Sequence, residues 1–269
     1  MIAEIGGRRF EWGTRTYVMG IVNVTPDSFR GDGLGTDVEA AVAQGLRMVE
    51  EGADMLDVGG ESTRPGHVPV STVEEISRTE AVVRRLAGPA NVPISIDTYK
   101  QQVAESAIAA GATILNDVWG LSRSPAIADL AASHGCAMVL MHNQDGTDYA
   151  GDLLQEIKRF LGAAAARAVS AGVPKEKVIL DPGIGFGKTA EHNWEVMRRL
   201  HELKELGHPI LIGTSRKSFI GKLLDLPVTE RLEGTAATVA VGVLRGADIV
   251  RVHDVLQMTR VVRAADHMR

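Results

Sequence analysis

The sequence predicts a single-domain, closed (β/α)8 TIM barrel, and three observations predict it. Short β-branched or apolar runs alternate from end to end with longer amphipathic segments. Glycines close the amphipathic segments just ahead of the next apolar run, as helix-to-strand connections require. No linker, charge block or low-complexity stretch divides the 269 residues, so one domain over 1–269 is expected.

In chain order the predicted strands are Tyr17–Asn23, Met55–Val58, Ile94–Asp97, Ile114–Asn116, Ala137–Met141, Val178–Asp181, Ile210–Gly213 and Ile249–Val252. Eight parallel strands are what a barrel needs in order to close. Helical periodicity fills the gaps at Val38–Glu51, Val73–Leu86, Gln101–Ala110, Leu153–Ala171, Glu191–Leu206 and Glu230–Arg245. Each segment is long enough to cross back over a sheet. Gly52, Gly111, Gly172, Gly207 and Gly246 mark their ends. The nearest competing architecture is an open doubly wound sheet.

Composition narrows the function. With 45% hydrophobic and 23% charged residues the chain can bury a large core, and a net charge of −5 disfavours a broad nucleic-acid face. Any anionic ligand has to be met by local cations. Cys136 is the lone cysteine, so no intrachain disulfide can form, and its apolar surroundings predict a buried, unreactive thiol. Glu4, Arg8, Arg9 and Glu11 interrupt the apolar residues at the start, which gives neither a signal-peptide core nor a membrane span. A cytoplasmic protein with no membrane and no nucleic-acid partner is expected.

Polar residues gather at or just past the predicted strand ends: Asn23, Glu61, Asp97, Asn116, Asp181, Lys217 and Arg251. Barrel chemistry is built there. Singly, each has a plainer explanation. Asp97 or Thr98 suits a cap for the helix starting near Lys100, and Asn116-Asp117 suits a turn. Together on one rim they form a poor set of mere caps, because converging buried polar groups demand partners.

Common catalytic motifs fail. Gly183-Ile-Gly-Phe-Gly-Lys188-Thr189 approaches a nucleotide phosphate loop, but Pro182 stands where its first glycine belongs. The dinucleotide fingerprint fails at Lys188, and His201-Glu202 has Glu205 in place of a second zinc-binding histidine. Gly213-Thr-Ser215-Arg-Lys217 lacks the closing glycine of a hydrolase elbow. Positive charge does gather after the last two strands, in Gly213-Thr-Ser-Arg216-Lys217-Ser218 and Arg251-Val-His253-Asp254, each ahead of an expected helix. That is the usual anion corner of a barrel, although Arg216 and Lys217 taken alone also suit solvated loop charges.

Specific blocks then appear in order along nearly the whole chain: Met19-Gly-Ile-Val-Asn23-Val-Thr25-Pro-Asp27-Ser-Phe29, Asp57-Val-Gly-Gly-Glu61-Ser-Thr63-Arg64-Pro65-Gly66, Ser95-Ile-Asp97-Thr98, Asn116-Asp117-Val118, Met141-His142, Asp181-Pro-Gly-Ile-Gly-Phe186-Gly-Lys188-Thr189, Gly213 to Ser218 and Arg251 to Asp254. In these blocks the sequence resembles the dihydropteroate synthase family. The resemblance implies an enzyme that joins 6-hydroxymethyl-7,8-dihydropterin diphosphate to 4-aminobenzoate and releases pyrophosphate. It also implies a magnesium ion at Asn23 and a homodimer formed by the last helices.

Carried over position by position, the resemblance implies that Asp97, Asn116 and Asp181 receive the pterin, Lys217 donates to the ring's acceptors and Met141 lines one face. Arg251 and His253 match diphosphate contacts, so Asp97, Lys217, Arg251 and His253 are the implied catalytic set. Ser218 is expected to receive the aminobenzoate carboxylate, with Thr63, Arg64, Pro65 and Phe186 near its ring. The loops of about residues 24–35 and 62–71, glycine-rich and polar, are expected to act as mobile lids. The stretch after His142 is shorter than is often found in the family and has no proline, and Arg30 stands where many relatives carry a small residue. Two rivals remain: a pterin-binding methyltransferase working with a corrinoid partner, and a non-catalytic pterin-binding paralogue.

Overall fold

In the computed structural model, which describes residues 1–24, 38–61 and 69–269, the eight apolar runs pair side by side as parallel strands. They follow an antiparallel hairpin, β1 (Ile2–Ile5) and β2 (Arg8–Glu11). The barrel strands are β3 (Tyr17–Asn23), β4 (Met55–Gly59), β5 (Ile94–Asp97), β6 (Ile114–Asp117), β7 (Ala137–Met141), β8 (Val178–Asp181), β9 (Leu211–Ile212) and β10 (Ile249–Val252). Each pairs with the next in sequence from β3 to β8, and β10 joins β9 to β3. A parallel bridge from Leu180 to Ile210 closes the ring between β8 and β9.

Helices cover the outside: α1 (Val38–Glu50), α2 (Thr72–Leu86), α3 (Gln101–Ala110), α4 (Ile127–His134), α5 (Leu153–Ser170), α6 (Ala190–Arg198), α7 (Ser218–Leu224), α8 (Leu232–Leu244) and α9 (Val255–Asp266). Ser71, Asp152 and Thr189 cap α2, α5 and α6 by accepting backbone N–H bonds from the first helical turn. The five predicted terminal glycines all adopt positive φ, from 67° at Gly207 to 114° at Gly111.

Strand period two divides the core into two layers. Val18, Val22, Leu56, Val58, Ile94, Ile96, Leu115, Met138, Leu140, Leu180, Val250 and Val252 pack among the helix side chains. The alternate positions Tyr17, Met19, Met55, Ile114, Ala137, Val139, Ile179, Leu211 and Ile249 fill the barrel together with Ala3, Ile5, Phe10 and Trp12 of the hairpin region. The hairpin therefore plugs the end from which the strands begin. Two residues further along the same inward register come Asp57, Asn116, Met141, Asp181, Gly213 and Arg251. The apolar floor and the polar rim are successive rungs of one alternation.

The structure differs from expectation in four places. Glu191–Leu206 is not one helix: α6 ends at Arg198, and Leu200–Leu206 winds as a 3₁₀ helix. Buried Leu200 and Leu203, with Leu206 next in the series, recur every three residues, which suits the tighter winding. The strand expected at Ile210–Gly213 contracts to β9, with Ile210 outside it but making the closing bridge. The hairpin and α4 are additions to the expected elements.

Candidate active site

The site is assembled where the inward register reaches the strand ends. Asp97, Asn116, Val118, Met141, Asp181, Ile184, Phe186, Gly213, Lys217 and Arg251 line one cleft. Seven of the expected site residues thus meet: Asp97, Asn116, Met141, Asp181, Phe186, Lys217 and Arg251. Thr63, Arg64, Pro65 and Arg30, with most of the two expected lid loops, lie outside the described residues.

Asp97 does not cap a helix. Thr98 takes the local role instead, its hydroxyl accepting from Lys100 N at 3.2 Å. Asp117 makes the turn by accepting from Trp119 N and Leu121 N at 2.9 and 2.7 Å, leaving Asn116 to face the interior. Arg251 crosses the cleft floor, donating from Nε to Asp57 at 2.6 Å and from Nη2 to Asp97 at 2.9 Å. Asn116 donates to the same Asp57 oxygen at 3.0 Å. The second Asp97 oxygen is buried and has no hydrogen-bond partner among the described residues.

Burial raises the Asp97 carboxyl to about 7, with Asp57 and Glu75 pushing the same way against the pull of Arg251 and Lys217. Burial also raises Asp181 to about 6, against a 2.7 Å bond from Gly183 N and the charges of Lys217, Arg251 and Lys188. Lys217 holds its ammonium 3.9 Å above the centre of the Phe186 ring. An aromatic ring, two carboxylates and cationic donors on one cleft suit a planar heterocycle with donor and acceptor edges.

His253 stands beside the cleft. Ser215 Oγ accepts the His253 backbone N–H at 3.2 Å and lies within hydrogen-bond distance of its Nδ1, at 2.9 Å. Burial, followed by the charges of Arg216 and Arg251, pushes this imidazole down to about 3, which keeps the ring neutral. Arg216 is held by both oxygens of Asp254 at 3.0 and 2.6 Å, an ion pair that steadies the loop. Ser218 opens α7 and is exposed, off the cleft lining. Asn23 ends β3, half-buried, with its amide oxygen over the Gly59 backbone.

Three groups escaped the sequence reading of the site. Asp57 opens a recognised block but sits inside an apolar strand and carries no expected role; its inward parity with Met55 is what places it below the cleft. Lys188 and His142 belong to recognised blocks, but their contact joins residues 46 apart.

The relatives follow the same plan. A family model described as "Pterin binding enzyme" matches residues 19–253. The dihydropteroate synthase of Clostridium beijerinckii is 50% identical over 264 residues, covering 98% of each chain. The chain belongs to the dihydropteroate synthase family. A dihydropteroate synthase from Clostridium difficile, solved in the presence of pteroic acid, has a TM-score of 0.92 at 50% identity, covering 96% of this chain and 98% of its own. The Xanthomonas albilineans dihydropteroate synthase with 4-aminobenzoic acid has a TM-score of 0.93 at 42% identity, covering 99% and 97%. In this member of the dihydropteroate synthase family Asp57 lies beneath the cleft, holding the cleft residues Arg251 and Asn116 through one carboxylate oxygen.

Proposed function

We infer that the chain joins 6-hydroxymethyl-7,8-dihydropterin diphosphate to 4-aminobenzoate, forming 7,8-dihydropteroate and pyrophosphate. The observation that carries this reading is the pair of buried carboxylates, Asp97 and Asp181, on one cleft with Lys217 and Arg251. A pterin presents an amino group and a ring N–H side by side, and a carboxylate accepts such a fork through paired bonds. The unpartnered Asp97 oxygen and Asp181 supply acceptors, Asn116 an amide, and Lys217 a donor for the ring's acceptor atoms. Met141 lines one face of the ring.

Cleavage of the C–O bond puts positive charge on the pterin methylene and negative charge on the departing pyrophosphate. Stabilising that leaving group is the main task. Arg251 and neutral His253 are the proposed donors, with the aminobenzoate carboxylate assigned to Ser218 and its ring to Phe186, Thr63, Arg64 and Pro65. The amine attacks as a neutral nucleophile, so orientation matters more than deprotonation.

Magnesium is proposed at Asn23. No cluster of three acidic, histidine or cysteine ligands is present among the described residues, which suits an ion held largely by substrate oxygens and one amide oxygen. Asn23 would supply the protein oxygen for such an ion, and the chemistry supplied there would be neutralisation of the diphosphate charge. A homodimer through the last helices is proposed with it, supported by exposed Leu223, Leu224, Val241, Leu244 and Leu256. A cytoplasmic setting and a single domain over 1–269 complete the proposal, the former supported by the lone buried Cys136.

Purified protein mixed with the pterin diphosphate, 4-aminobenzoate and magnesium is expected to release pyrophosphate only when both substrates are present. Release without the aminobenzoate would make it a hydrolase, and no release would favour a methyltransferase or a non-catalytic paralogue. Asp97→Asn is expected to weaken pterin binding sharply and Arg251→Ala to lower turnover; near-normal activity in either removes that residue's role.

A further inference from the structure

The failed phosphate-loop motif has a lysine, and it goes to the interior. The Lys188 ammonium lies 3.0 Å from His142 Nδ1, 3.1 Å from the Gly183 carbonyl and 3.0 Å from the Phe186 carbonyl. An ammonium has three donors, so these contacts use them all. None is left for a phosphate or a pterin.

What the lysine joins is the site's own scaffold. His142 follows β7, and its backbone N–H donates to Asp181 O at 2.9 Å. Gly183 donates to the Asp181 side chain at 2.7 Å, and Phe186 lies under Lys217. The His142 ring is fixed by its edge contact with Phe160, 5.0 Å between centroids. Burial and then the charge of Lys188 push His142 down to about 3, which keeps Nδ1 free to accept.

We propose that Lys188 is a positioning residue for the pterin half of the site: its ammonium clamps the end of β7 onto the loop after β8 and so fixes where Asp181 and Phe186 stand in the cleft. The proposal rests on the pterin reading above. The clamp also works through charge. Burial lowers Lys188 to about 7, with Lys217 pushing the same way and Asp181 opposing, while Lys188 in turn helps hold the Asp181 carboxyl down. Asp181 is faced by the Gly183 N–H, Lys217, Arg251 and Lys188; Lys188 is faced by Asp181, Lys217 and His142.

The test measures binding of 6-hydroxymethylpterin and titrates the Asp181 carboxyl by ¹³C NMR, with Asp181→Asn identifying the resonance. Lys188→Met is expected to weaken pterin binding about 10- to 100-fold, the scale of a small misplacement. Its Asp181 resonance titrates at higher pH, because a nearby cation is gone, whereas that of Asp97 stays in place. A tie that carries no charge would leave the Asp181 titration unmoved. His142→Asn, which keeps an acceptor near Nδ1, retains affinity, and His142→Leu reproduces the loss; this pair decides the matter if Lys188→Met does not fold. Unchanged pterin binding or an unmoved Asp181 titration overturns the clamp, as do equal losses in the two His142 variants. Failure of the wild-type protein to bind the pterin defeats the underlying reading instead.

Discussion

Asp97 and Asp181 titrate well above the range of a free aspartate, near 7 and 6, because burial penalises their charged forms. This has opposite consequences for binding and for stability. A pterin donor fork needs the ionised carboxylates, so pterin affinity is expected to fall as pH drops through 7 and then 6. The slope approaches about tenfold per pH unit for each carboxylate below its own pKa. In the ligand-free fold both groups bind protons more tightly than in the unfolded chain, where aspartate titrates at ~4. Their contribution to stability is therefore unfavourable above about 7 and is relieved as pH falls towards ~4. Pterin binding followed by calorimetry, with urea denaturation of the free protein across the same pH series, should show slopes of opposite sign. Asp57→Asn removes a charge that raises Asp97, so its acid limb of binding should move to lower pH. Parallel slopes would show that these carboxylates are not what couples pterin to pH.

At the scale of elements, the strands were legible because alternation is local: an inward residue is two positions from the next, and the glycine that ends a helix lies just ahead of its strand. The inward register alone puts Asn116, Asp181 and Arg251 on the rim above Ile114, Ile179 and Ile249. Contacts between elements leave no such mark. The Asp57–Arg251 pair spans 194 positions, and nothing in either strand announces it. Asn116 and Asp117 show the limit most closely, since adjacent polar residues divide between site and turn according to parity. The hairpin was legible in principle, for Gly6-Gly7 lies between runs that bury Ala3, Ile5 and Phe10. The β7–β8 junction gives this scale its prediction. Gly183 has φ of +70°, and a Cβ there would sit 1.9 Å from the His142 carbonyl oxygen. Gly183→Ala combines left-handed strain of ~1–2 kcal/mol with an overpacking cost of ~1–3 kcal/mol. A loss of about 2–5 kcal/mol in chemical denaturation is expected, with weakened pterin binding because Gly183 N holds Asp181. A variant of wild-type stability would mean that the junction yields freely.

The barrel as a whole separates its chemistry from its closure. The rim carries the cleft, whereas the opposite end is stoppered by the aromatic side chains of Phe10, Trp12 and Tyr17. Trp12 is the keystone of that stopper. Its ring stacks on Phe10 with centroids 5.4 Å apart and meets Tyr17 edge-on at 5.4 Å. Its indole N–H donates to the Glu176 carbonyl at 2.9 Å, tying the segment after the hairpin to the approach of β8. Trp12→Ala would open a cavity beneath Met19, Met55 and Ile179, which share this interior cluster. Truncating a buried tryptophan costs ~3–5 kcal/mol, so for a chain of this size the melting midpoint should fall by roughly 6–20 °C. Below that midpoint, the KM values for both substrates should stay at wild-type levels, because the rungs that carry Asp97, Asn116 and Asp181 stand above an intact layer. A raised KM in a well-folded Trp12→Ala protein would show that the floor of the barrel sets the shape of the rim, and that the two ends of the molecule are mechanically joined.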